Sequence, residues 1–354
     1  MDNMLNSVTI TKAKDLITEA LTSYEGIPPN IMLHGSMGLG KSSIVRQVGE
    51  ELGYRIIDLR LSGLESSDVQ GIPYVYEGEM MFSTPSWWPK DGEKVILFLD
   101  EITNCSVSVQ HAAYRLILDR SIQNGKVLGD EVAIIAAGNL KSDRTGAKEL
   151  LPAANNRFAM HLFIDSKRAA KSFLDWSMSN GIDKDIVAFL SWKEECVFIP
   201  PESGEPAFPT PRSWESASKL KKNHNGDDAD LSIKIASSVG SAAAVELMSF
   251  IEYNQFLPNW KEMKENEAYS YDMPKNDTAM MYALSVAMAF ETINAIDESD
   301  VDYINKLATM VGSLDDEIKT VFFRTLKRKP ESAYQLVKYE SLRDQFKTVS
   351  KFIR

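Results

Sequence analysis

Leu16, Ile17, Ala20, Leu21 and Tyr24 recur at helical spacing, so the pattern predicts an amphipathic helix over 11–24, ended by the turn-forming run Gly26-Ile-Pro-Pro-Asn30. The rhythm then changes to short apolar runs. Ile31–His34, Tyr54–Leu59, Val95–Leu99 and Val132–Ala137 read as strands, with His161–Asp165 as a fifth. Helical patterns lie between several of them, at 41–51 and 107–120. Strands alternating with helices predict an α/β domain whose parallel sheet is covered on both faces, over residues 1–165.

Beyond Asp165 helical spacing dominates, at 167–179, 183–193, 211–222, 231–253, 277–296, 300–311, 314–327 and 331–352. A proline-rich loop at 200–211 and a polar one at 221–230 interrupt it. The polar, proline-broken stretch 256–276 divides these helices, so the expectation is a helical lid over 166–255 and a C-terminal helical extension over 256–354.

With 354 residues, 44% apolar and 25% charged, the chain has the makeup of a globular protein able to bury a large core. A net charge of −11 argues against a broad basic surface for duplex nucleic acid or anionic lipid. Cys105 and Cys196 have no CxxC spacing and are expected to be buried thiols in a reducing compartment. The first residues lack a signal-peptide pattern, and no run reaches the roughly 18 apolar residues of a membrane span. The closest approach, 235–251, reads as a closely packed helix of a soluble chain. A cytoplasmic protein without membrane contact is the expectation.

The strongest chemical signal follows the first strand and opens a helix. Gly35-Ser-Met-Gly-Leu-Gly-Lys41-Ser42 matches G-x-x-x-x-G-K-[ST], whose glycines let backbone N–H groups approach phosphates. Gly35, Ser36, Met37, Gly38, Leu39, Gly40, Lys41, Ser42 and Ser43 are thus the candidate nucleotide cradle. Lys41 is expected by the β- and γ-phosphates, with the Ser42 hydroxyl on Mg²⁺. The run Val95-Ile-Leu-Phe-Leu-Asp100-Glu101 ends a buried strand in two carboxylates, where open α/β sheets bind ligands. Asp100 is expected to hold Mg²⁺ and Glu101 to polarise the attacking water. Asn139, at the end of the next strand, can hydrogen-bond that water or the γ-phosphate. Arg157 precedes the last strand, and Arg212 follows Thr210, a predicted N-cap, and Pro211, a predicted first helical residue.

In this order, these features resemble those of AAA+ ATPases, and within them the MoxR-like group related to the dynein-type branch. The likeness rests on Ser67-Asp-Val-Gln-Gly71-Ile-Pro73, on Pro85-Ser-Trp-Trp-Pro89, on 109–116 after Glu101, on Ala136-Ala-Gly-Asn139 and on Arg157-Phe158. It spans residues 5 to about 255 and covers the last helices only loosely. The resemblance implies ATP as the nucleotide, Asn139 as sensor 1, Arg157 as an arginine finger on the neighbouring subunit's nucleotide and Arg212 as sensor 2. It also implies a homo-oligomeric ring, commonly of six, that remodels a partner protein, often one with a von Willebrand factor A domain. The segment 123–129 reads as a hairpin, either an ordinary one or, as the resemblance implies, one directed towards the ring's centre. Two features depart from the family. Ser36-Met37 stands where two prolines are frequent, and no folded domain precedes the ATPase, so partner recognition is expected elsewhere. A nucleic-acid translocase or nuclease-associated motor is the alternative, and a slow nucleotide-controlled assembly switch a third. The four histidines, 34, 111, 161 and 224, have no zinc spacing and read as structural or surface residues.

Overall fold

In the computed structural model, which describes residues 7–140, 143, 150, 152–200, 205–266, 268–274, 277–328 and 338–353, helix α1 (Ile10–Thr22) begins where the Thr9 hydroxyl accepts the Lys12 N–H at 3.1 Å. Its buried side chains, Ala13, Ile17, Ala20 and Leu21, form one stripe. Contacts divide the chain into two compact units, Met1–Ala169 and Ala170–Arg354.

The strands of the first unit are β1 (Ser7–Val8), β2 (Ile31–His34), β3 (Arg55–Arg60), β4 (Pro73–Tyr76), β5 (Glu79–Phe82), β6 (Val95–Asp100), β7 (Val132–Gly138) and β8 (Met160–Ile164). Among the described residues six of them form a parallel sheet in the order β1-β8-β2-β7-β6-β3. Two central strands, β6 and β7, are buried at every position, which is why they read as unbroken apolar runs. Val95, Leu97 and Leu99 of β6 share a cluster with Ile134, Ala136 and Met32 and with Val109, Ala113 and Leu116 of α4 (Val107–Asp119). Alternate residues point to the opposite face, where α2 (Lys41–Leu52) packs on β6 and β7. The sheet is therefore layered between helices, as the alternation predicts.

Three strands were not visible as patterns. β1 is two residues long at the sheet's edge, and β4 and β5 form a separate antiparallel hairpin. Its turn, Glu77-Gly78, has both φ values positive, +52° and +82°. Tyr74, Val75, Tyr76, Met80 and Met81 are exposed there. The expected hairpin at 123–129 is present as a short antiparallel pairing of Ser121 with Val127. Trp87 and Trp88 are partly buried against the core, and the Trp87 indole donates to the Asp68 carbonyl at 2.8 Å.

The second unit is helical. Its elements are α6 (Ala169–Ser179, whose first residue belongs to unit one), α7 (Lys184–Trp192), α8 (Pro211–Lys222), α9 (Asp228–Val239), α10 (Ser241–Ile251), α11 (Trp260–Glu265), α12 (Thr278–Asp297), α13 (Val301–Gly312), α14 (Asp316–Lys327) and a last helix, Glu340–Val349. Those before them are α3 (Ser66–Gln70) and α5 (Pro152–Asn155). The single helix expected over 231–253 is two, because Gly240 adopts φ 86°, ψ 156° and ends α9. The stretch 256–276 contains α11, capped by Asn259. Of the helix expected over 331–352, residues 329–337 lie outside the described residues, as do 201–204 of the proline-rich loop. One apolar cluster gathers α6 to α10 and a second gathers α11 to the last helix, and α12 contributes to both. α12, not 235–251, is the one described helix long and apolar enough to cross a membrane, and 72% of its most apolar window is buried inside the protein. Both cysteines are buried free thiols, and burial, with Glu246 and Glu195 nearby, pushes Cys196 up to about 12.

Trp214 is fully buried, packs on Phe189 at 5.8 Å and donates its indole N–H to the Cys196 carbonyl at 2.8 Å. Trp214→Ala is expected to cost about 3–5 kcal/mol, read as a lowered urea midpoint for the second unit. A loss below about 1 kcal/mol would contradict this packing.

Candidate functional site

The chain leaves β2 at His34 and enters a loop in which Gly38 and Gly40 take φ of +74° and +94°, values that favour glycine. α2 begins at Lys41, and its N-cap, Gly40, supplies no side-chain cap. The first N–H groups of a helix have no intrahelical acceptor, so this uncapped start is suited to an anion. Lys41 is 7% exposed, and its ammonium donates to the carbonyls of Gly35 (2.6 Å) and Ser36 (2.9 Å) and to Asn139 Oδ1 (3.2 Å). Loop, helix start and the end of β7 thus converge on one cation.

β6 delivers the carboxylates. Asp100 Oδ2 accepts the Ser42 hydroxyl at 2.8 Å, and its Oδ1 accepts the Glu101 N–H at 2.9 Å. Glu101 has φ +57°, unusual for a residue with a side chain, and its carbonyl accepts the Asn104 N–H at 2.8 Å. That kink brings Ile102 N–H to the Ala137 carbonyl of β7 at 3.1 Å. The Glu101 carboxylate accepts a short hydrogen bond from Ser62, in the turn after β3. Thr103 Oγ1 accepts the Asn139 N–H at 3.0 Å, an approach that needs Gly138, where a Cβ would lie 2.5 Å from Thr103 Cγ2. Ser62 and Thr103 carried no sequence signal, since a hydroxyl in a turn is common.

Among the described residues no group of three or more His, Cys, Asp or Glu side chains gathers around a metal position. Ser42 and Asp100 nevertheless suit Mg²⁺, which keeps several waters and is held by one or two carboxylates together with substrate phosphates.

Residues 31–166 match the family described as ATPase family associated with various cellular activities (AAA). This segment is an AAA-family ATPase domain. No curated protein matches the chain. Among solved structures, a mutant of Thermotoga maritima RuvB is similar with a TM-score of 0.40 and 16% identity over 72% of this chain and 76% of that one. T. maritima RuvB described as a Holliday junction branch migration motor gives 0.35 and 14% over 72% and 74%. Brucella abortus NtrX in complex with ADP gives 0.39 and 12% over 99% and 69%.

Within the AAA domain, Lys41, Ser42, Asp100, Glu101 and Asn139 come together, linked through the hydrogen bonds above. Arg157 lies in the turn after α5, exposed, and among the described residues its side chain has no hydrogen-bond or ion-pair partner. Arg212 belongs to the second unit. Thr210 caps α8, accepting the Ser213 N–H at 3.0 Å, Pro211 is the first helical residue, and Arg212 is exposed in the first turn.

One pairing was hidden by sequence distance. His34 Nε2 lies 3.0 Å from His161 Nδ1, and His161 Nε2 lies 2.9 Å from the Asn155 carbonyl. Burial, with His161 and the Lys41 charge nearby, pushes His34 down to about 4 from an ordinary 6.5. A histidine whose pKa falls on folding binds its proton more readily when unfolded, so its contribution is full above about 6.5 and is lost as pH falls towards 4. The stability difference between the wild-type chain and His34→Gln should shrink across that window by up to about 1.4 kcal/mol per pH unit, read by urea unfolding at several pH values. A difference independent of pH would contradict the buried, neutral imidazole.

Proposed function

We propose that the AAA domain hydrolyses ATP with Mg²⁺ inside a cytoplasmic homo-oligomeric ring, of six subunits, that remodels a partner protein in the manner of MoxR-like ATPases. ATP as the preferred nucleotide and a partner carrying a von Willebrand factor A domain follow from the sequence resemblance. The observation that carries the phosphate chemistry is the Lys41 ammonium held at the meeting point of the phosphate loop and Asn139. The surface observation favouring a protein partner over nucleic acid is the β4–β5 hairpin, where Tyr74, Val75, Tyr76, Met80 and Met81 are exposed beside Glu77 and Glu79. Exposed apolar patches of this kind mark protein contacts, and a chain of net charge −11 offers no broad basic surface.

In this reading Lys41 exchanges loop carbonyls for the β- and γ-phosphates, and the uncapped start of α2 takes phosphate oxygens. Ser42 and Asp100 hold Mg²⁺, which when bound neutralises charge on the phosphates. Glu101, released from Ser62, orients the attacking water and accepts its proton, while Asn139 fixes that water or the γ-phosphate. Arg157, exposed and without a side-chain partner among the described residues, is the finger offered to the neighbour's nucleotide, and Arg212 is the sensor contributed by the helical lid.

Orienting water matters only once nucleotide is seated, so Glu101→Gln should keep ATP affinity within about threefold while turnover falls at least about 100-fold. Lys41→Ala should lose both. Equilibrium binding of a fluorescent ATP analogue and single-turnover phosphate release separate the two. Equal loss of affinity in both variants would overturn the role of Glu101, and turnover of the wild-type chain stimulated by DNA but by no protein partner would overturn the remodelling reading.

A further inference from the structure

Among the described residues Arg157 has no side-chain anchor; the backbone turn that carries it sets its position, and β2 holds that turn from both ends. Before the strand, Asn30 Nδ2 donates to the carbonyls of Arg157 (3.3 Å) and Ile117 (3.0 Å), and the Asn30 carbonyl accepts the Ala159 N–H at 2.9 Å. At its other end His34 reaches the same turn through His161 and the Asn155 carbonyl. Proton positions follow from chemistry. A carbonyl only accepts, so His161 Nε2 carries the hydrogen, which leaves the Nδ1 lone pair to accept the Nε2–H of His34. Both rings are fixed in place. His34 stacks on Phe163 at 4.3 Å and 9°, and Phe158, itself buried in the core, makes an edge-to-face contact with His161 at 5.8 Å and 73°. His34 is bonded directly to Gly35, whose carbonyl holds the Lys41 ammonium.

We infer that His34 and His161 are positioning residues for hydrolysis: together they form a hydrogen-bonded relay that sets the Arg157 turn against the phosphate loop of the same subunit. The inference rests on reading Arg157 as a finger. Its consequence is that a subunit whose loop changes on binding nucleotide also re-aims the arginine it offers to the next one.

His161→Phe keeps a ring of similar volume and removes both hydrogen bonds. It should leave ATP affinity within about twofold and lower kcat about 10- to 100-fold, because misplacing a catalytic group by about 1 Å costs that much. His161→Gln, whose amide can donate to Asn155 and accept from His34, should recover most of that loss, which a purely steric role would not. His161→Phe combined with Arg157→Ala should be no slower than Arg157→Ala alone, since residues acting as one unit are not additive. Should His161→Phe fail to fold, His34→Phe, which retains the stack on Phe163, carries the same expectations. Wild-type kcat in the Phe variant, or losses that multiply in the double variant, would overturn the relay. Full activity of Arg157→Ala would overturn instead the reading of Arg157 on which it rests.

Discussion

A lysine ammonium buried beneath its own backbone organises the first unit. Lys41 is 7% exposed and surrounded by oxygens of Gly35, Ser36 and Asn139. Burying a cation is costly unless its environment compensates, as these oxygens do. The loop thus holds a positive charge beside the uncapped start of α2, and a phosphate there would meet both. In the proposed function, specificity for phosphate comes from this coincidence of a full charge and a row of N–H groups, which neither the lysine nor the helix provides separately.

The sheet brings the remaining groups to that charge. β2 lies between β8 and β7, with β6 beyond β7, so Asp100 and Asn139 leave neighbouring strand ends while the loop leaves β2. In open α/β sheets ligands bind outside these carboxyl ends. The positive φ of Glu101 stores backbone strain at the point where β6 stops, and the Ile102–Ala137 hydrogen bond that it permits holds the chain in place. β2 feeds the loop with one end, and the residues at its two ends reach the turn that carries Arg157, Asn30 directly and His34 through His161.

Much of this was legible in the sequence because local chemistry fixed it. The unbroken runs of β6 and β7, the glycine-lysine spacing of the loop and the Thr210-Pro211 start of α8 each declare their structure within a few residues. What stayed hidden depends on contacts distant in sequence or on burial that pattern does not reveal. The His34–His161 pair is created by the parallel register of β2 and β8, in which Met32 lies opposite His161 and His34 opposite Phe163. The β4–β5 hairpin has exposed apolar residues on neighbouring positions, so it lacks the two-residue alternation of a half-buried strand. Gly240 interrupts a continuous helical pattern through a backbone conformation that a Cβ would oppose, its position lying 2.8 Å from the Ala207 carbonyl.

In the proposed function this centre turns over Mg-ATP and is completed by assembly. The most direct measurement is phosphate release from ATP by the wild-type chain, with magnesium or with excess EDTA, across a dilution series followed in parallel by sedimentation. Release that saturates with ATP, disappears with EDTA and rises per chain as the oligomer forms is the predicted result. Release that is undetectable in the assembled protein, unaffected by EDTA, or constant per chain down to the monomer would contradict it.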